Sequence, residues 1–106
     1  MPKYMITVSY TTEGVRGLLK EGGSARRDVA RQLVEDQGGT MESFYFAFGD
    51  ADAYVLADLP DHASAAAISL AVSGSGAIAA STTVLLTPEE VDQAANKTVQ
   101  YRPPGG

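Results

Sequence analysis

Three places in the chain combine acid–base side chains or amphipathic rings with a spacing that chemistry could use. Asp50 and Asp52 stand two residues apart in Gly49-Asp50-Ala51-Asp52. Paired carboxylates of this kind serve acid–base work or hold a hard cation, but aspartate also bonds to its own backbone in turns, which accounts for both without any reaction. Asp52 has the stronger claim, because it opens a segment that reads as a strand. His62, the only histidine, follows Asp61 at the start of a predicted helix. Its imidazole could act as a general base, yet one histidine without a cysteine is a poor donor set for a transition metal. No metal is therefore expected, and a solvated side chain is the plainer reading. Tyr10, Tyr45 and Tyr54 lie on predicted strands, where a phenol ring can stack on a ligand while its hydroxyl bonds to it; core packing is the everyday use of such residues. Asp52, Tyr10, Tyr45, Tyr54 and His62 are thus the candidate ligand-binding residues, and no catalytic residue is legible.

Other polar clusters carry less. Ser81, Thr82 and Thr83 supply hydroxyls without a neighbouring base and fit the β-propensity of a strand. Ser73-Gly74-Ser75-Gly76 has no lysine and follows a helix instead of preceding one, so it lacks the logic of a phosphate loop and reads as a turn. No bound cofactor is expected. A formal charge of −5 with scattered basic residues would repel phosphate backbones, so nucleic acid is not an expected partner. The absence of cysteine excludes disulfides, thiolate metal sites and a cysteine nucleophile, and agrees with a reducing compartment. No apolar run approaches the ~20 residues that span a bilayer, and the start lacks the apolar stretch of a signal peptide. The expectation is a cytoplasmic protein with no membrane partner.

The elements that must position these residues follow from periodicity. Residues 4–10 alternate as a strand does, and Thr11-Thr12-Glu13 then reads as a capped helix start. Gly22-Gly23 interrupts that helix, Ser24 is placed to cap a fresh start, and Gly38-Gly39 closes it. Thr40 to Phe48, rich in aromatic residues, and Ala53 to Asp58 read as strands joined by the Gly49–Asp52 turn into a hairpin. Gly49 is expected in the left-handed region open to glycine, with Asp52 near the sheet edge. Pro60-Asp61 begins an alanine-rich helix, Ile78 to Leu86 gives a fourth strand, and Thr87-Pro88-Glu89-Glu90 starts a short helix through about Lys97. The chain is one domain over residues 1–97, with 98–106 as a flexible C-terminal tail. At 106 residues with 44% apolar content, a domain of this size buries roughly 65% of its unfolded surface. The order predicts an α+β, ferredoxin-like βαββαβ fold: a four-stranded antiparallel sheet with helices on one face, plus the short C-terminal helix.

Helices on one face leave the other face of the sheet open, and that face should then alternate apolar with charged residues. It does not: Tyr45 opposes Phe44 and Phe46, Tyr54 and Leu56 oppose Val55, and Thr83 and Leu85 oppose Val84. Leaving several large side chains wet forfeits roughly 1.5–3 kcal/mol each. A homodimer packed sheet to sheet is the expected cover; the alternative is that the terminal helix and tail fold back over the free face.

The segments Tyr4-Met5-Ile6, Tyr10-Thr11, Gly14, Gly38-Gly39, Phe44-Tyr45, Gly49-Asp50-Ala51-Asp52, Pro60-Asp61, Thr82-Thr83 and Thr87-Pro88-Glu89-Glu90 together resemble the GYD-domain family of the dimeric α/β-barrel superfamily. The resemblance runs from about residue 3 to residue 91 and rests on order and spacing. The Gly-x-Tyr-Asp signature stands here as Gly49-Asp50-Ala51-Asp52, with alanine in place of tyrosine and Asp52 as its retained acid. What the resemblance implies is a dimer of this fold without an assigned reaction. The expected function is a dimeric small-molecule-binding or structural module, with a small apolar or aromatic ligand between the paired sheets. The alternative is a cofactor-independent enzyme of oxygenase or isomerase type with Asp52 or His62 as base.

Overall fold

Tyr4, Ile6 and Val8 bury every second side chain of the first strand, and the rest of the molecule is arranged around that stripe. The computed structural model describes residues 1–106. Its elements are β1 (Lys3–Tyr10), α1 (Thr12–Glu21), α2 (Gly23–Asp36), β2 (Thr40–Phe46), β3 (Ala53–Asp58), α3 (His62–Gly74), β4 (Ile78–Leu85) and α4 (Pro88–Ala95). The four strands form one sheet in the order β2-β3-β1-β4, antiparallel throughout. This is the α+β, ferredoxin-like arrangement expected from the sequence, with α2 packed on β2 and α3 on β4.

Register explains which residues meet. Ile6 lies between Val55 of β3 and Thr82 of β4, so the buried stripe continues into Ala53, Val55 and Ala57. Val34 of α2 and Ala65 and Ile68 of α3 close over it, with Leu59 completing the core. The opposite face presents Met5 and Thr7 of β1, Tyr54 and Leu56 of β3, Tyr45 of β2 and Thr83 of β4. Its charges, Lys3, Glu42 and Asp58, gather at one end, where the ammonium of Lys3 lies 3.1 Å from Asp58 and 3.3 Å from Glu42. No part of the chain covers that face, and α4 has no buried residue. A radius of gyration of 16.9 Å, against about 13 Å for a compact chain of similar length, reflects that projecting C-terminal segment. The fold-back alternative is therefore not what the chain adopts.

Several local expectations are corrected. Ser24 does not cap α2; the helix starts one residue earlier at Gly23, behind Gly22, with no side-chain cap. Gly22 supplies the positive φ of 91° that lets α1 turn directly into α2. Gly49 is not left-handed, because the connection from β2 to β3 is longer than a two-residue turn: β2 ends at Phe46 instead of Phe48, and Phe48 stands out in solvent. The last helix stops at Ala95. No helix is long and apolar enough to cross a membrane.

Candidate functional site

The helices straddle the sheet instead of sealing it. Because α2 sits over β2 and α3 over β4, the space above β1 is closed only by side chains. An interior cavity of about 60 Å³ remains there, walled by apolar groups of all four strands, α2 and α3, with Arg26 as the one charged residue. Above it opens a cleft of about 510 Å³ bounded by α1, α2 and the end of α3. Tyr10, Arg26, Leu33, Val72 and Ile78 line both, so the cleft narrows onto an apolar floor. A volume in the range of roughly 300–1,000 Å³, apolar walls and a few convergent polar groups are the usual attributes of a small-molecule site.

The polar groups converge at Tyr10. Its ring stacks on Phe46 at 6.4 Å and its backbone N–H donates to Asp52 Oδ2 at 2.8 Å. Burial pushes the Tyr10 phenol above its ordinary value, an effect partly opposed by the Arg26 guanidinium beside it. Arg26 is itself held 3.5 Å from Glu21 across the junction of α1 and α2. The other end of α1 is anchored at Gly14, where a Cβ would lie 2.0 Å from the carbonyl oxygen of Ala77. Thr11 adds to the anchor: its N–H donates to that same oxygen at 3.1 Å, and its hydroxyl donates to Gly76 O at 3.0 Å. The wall of the cleft is thereby tied to the start of β4.

The five candidates read from the sequence do not share one site. Asp52 and Tyr10 meet, as described, at the cleft. Tyr45 and Tyr54 pair across β2 and β3 on the opposite, open face, with Tyr45 71% exposed; strand alternation puts them on the far side from Tyr10. His62 lies elsewhere again. Its Nδ1 is 2.5 Å from the hydroxyl of Tyr4, whose ring meets the imidazole edge-on at 5.7 Å. Tyr4 is 1% exposed, and burial, then the nearby Asp61 carboxylate, push its phenol up. Both residues border an open groove of about 410 Å³ between α3 and β4. Asp50 and Asp52 do not join a third acidic or metal-binding side chain in a cluster that could hold an ion.

Sequence reasoning missed Arg26, Glu21 and Tyr4. The signal for Tyr4 was present: β1 and β3 are antiparallel, so the residue beside the end of β3 must face the start of the helix that follows it. Arg26 and Glu21 were hidden because their meeting depends on the angle between α1 and α2, which Gly22 sets. Ala51, in the position of the altered signature, is 4% exposed; it is core beside the strand, not part of the cleft lining. In comparisons with known proteins, the GYD domain family model matches residues 4–95, from β1 to the end of α4. No curated protein and no solved structure matches significantly.

Proposed function

Since this chain belongs to the GYD-domain family, we propose that it is a dimeric small-molecule-binding module of 1–97 with an appended segment 98–106. Its ligand is a small apolar or aromatic compound bearing one oxygen-rich head. The observation that carries this is the cleft itself, which narrows onto an apolar floor and has there, side by side, the guanidinium of Arg26 and the phenol of Tyr10. Such a pair suits a carbonyl or carboxylate oxygen, with the body of the ligand on Leu33, Val72 and Ile78. Asp52 serves the site by holding the backbone of Tyr10. Dimerisation is supported by the uncovered sheet face, whose central side chains are uncharged. This reading moves the ligand from between the sheets to beneath the helices.

The enzymatic alternative has one feature in its favour, the close Tyr4–His62 pair, a phenol and an imidazole bordering an open groove. The binding reading is tested with anilinonaphthalene sulfonate, an aromatic anion that fluoresces on entering apolar sites. The folded protein should bind the dye near neutral pH at one site per chain, and Arg26→Gln should weaken binding about tenfold, the loss of one charge-assisted contact. Unchanged binding in both Arg26→Gln and the cleft-filling Val72→Phe would refute it.

A further inference from the structure

The two edges of the sheet are treated differently. On β2 the free edge is broken by a register shift between Met41 and Ser43 and carries Glu42, two devices that discourage further pairing. On β4 the free edge runs over Ile78–Leu85 with no shift in its register with β1, no charge and no proline. Beside it runs the groove under α3, bordered by Ala66, Leu70, Ala80 and Val84, with the hydroxyls of Ser69 and Thr82 in mutual contact at 2.5 Å. The groove exists because both of its walls are built mainly from small residues. An open strand edge flanked by an apolar groove is the geometry that accepts an extended peptide: the backbone pairs with the edge and alternate side chains enter the groove.

The chain contains a segment of matching character. In Thr98-Val99-Gln100-Tyr101-Arg102 apolar and polar residues alternate at the strand period, and Pro103 follows where an added strand would end. Val99 is 76% and Tyr101 74% exposed, although both are large and apolar enough to favour burial. The backbone of residues 98–102 makes no hydrogen bond within the chain. Charge is compatible: Arg102 gives the segment a single positive charge, whereas residues 1–86 hold six basic and ten acidic side chains. The eight residues of α4, about 12 Å of helix, separate the segment from its own β4.

We propose that residues 98–102 of one chain add as a fifth strand to the β4 edge of a second copy, with Val99 and Tyr101 set into the groove between α3 and β4. This goes beyond the sheet-to-sheet contact, which uses the opposite face, and stands or falls separately from it. Five residues extend over ~17 Å at 3.3–3.4 Å each, enough to pair with most of β4.

Because the protein has no cysteine, engineered disulfides give a clean test on the full chain. Leu70→Cys and Val99→Cys are each made singly and mixed under mild oxidation. The expected result is a mixed disulfide-linked dimer forming about tenfold faster than linkage of either variant alone, as tethered proximity requires. Linkage no faster than in the separate variants would overturn the proposal. So would closure of the disulfide within one chain in the double variant, since that places each segment on its own β4. Sedimentation of the unmodified protein separates the two readings. A dimer without mixed linkage leaves the sheet contact standing and removes the exchanged strand; mixed linkage that persists when Tyr54→Glu breaks the sheet contact upholds the strand alone.

Discussion

The carboxylate of Asp52 takes the place of a ladder carbonyl for Tyr10. Asp52 N–H donates to Val8 O at 2.8 Å, extending the β1–β3 pairing to the residue just before the start of β3, and its side chain then accepts from Tyr10 N–H at 2.8 Å. The last amide of β1 is thereby satisfied by a side chain, and the ring above it is fixed at the cleft. Asp52→Asn keeps an oxygen acceptor and should change stability by no more than about 1 kcal/mol, with dye binding retained. Asp52→Ala leaves a half-buried amide unpaired, costing about 1–3 kcal/mol, and should weaken binding through loss of Tyr10 position. If Asp52→Asn abolished binding with the melting temperature unchanged, the carboxylate would be a direct ligand contact instead. Chemical denaturation and dye titration of the two variants decide.

Glycine at two positions of α1 should give opposite results on replacement by alanine. At Gly14 the new methyl would meet the Ala77 carbonyl at 2.0 Å, and the clash between two backbone segments should destabilise by about 1–3 kcal/mol or more. At Gly17 nothing lies within 4 Å, so the gain in helix propensity should stabilise by roughly 0.5–1 kcal/mol. Thermal melts of the two variants side by side check this; equal effects would mean that α1 does not touch the start of β4.

Alkaline pH should unfold the protein early. Tyr4 and Tyr10 are raised above the ordinary 10.0 chiefly by burial, and Lys3 is raised above 10.5 chiefly by its bond to Asp58. A raised value in the folded state means the folded chain holds its proton where the unfolded chain releases it. The stability these groups contribute is then complete below the unfolded values and drains away as pH climbs through the folded ones. Melting temperature should therefore be level through neutral pH and fall above about 10. For Tyr4→Phe the fall should be shallower, since the phenylalanine has no proton to lose. An identical alkaline limb in Tyr4→Phe would show that Tyr4 ionises freely in the fold.

The order of elements, the hairpin and the placement of Phe44 and Phe46 against the core were legible because a two-residue period and glycine punctuation survive in sequence. Faces were legible too: Tyr45 and Tyr54 follow directly from alternation, and their separation from Tyr10 could have been drawn from the parity of β1 and the register of a hairpin. What sequence could not supply was anything set by helix angle. The meeting of Arg26 with Glu21 and Tyr10, and the gap between α2 and α3, depend on how two helices joined by one left-handed glycine lie across a twisted sheet. The expectation of a left-handed Gly49 failed for a related reason: turn chemistry within Gly49–Asp52 predicts a tight hairpin, but the backbone bonds of Ala47 and Asp52 close a wider loop.

The open sheet face makes the last prediction. Tyr54 is opposite Tyr45 on one side and Thr7 on the other, and Leu56 is opposite Met5, so the centre of the face holds no charge with which to oppose a second apolar surface. The ion pairs of Lys3 with Glu42 and Asp58 mark only one end, where they leave the middle free to pack. Placing a carboxylate in that middle should be nearly neutral for a lone chain, because Tyr54 is already 36% exposed, but costly wherever two faces meet and water is excluded. Tyr54→Glu should thus convert a dimer into a monomer at micromolar concentration while leaving the circular dichroism spectrum intact, and Glu42→Gln at the rim should leave the assembly unchanged. Sedimentation velocity reads both. A wild-type protein that sediments only as a monomer of 11.1 kDa would remove the sheet contact altogether, and the apolar face would then need a different partner.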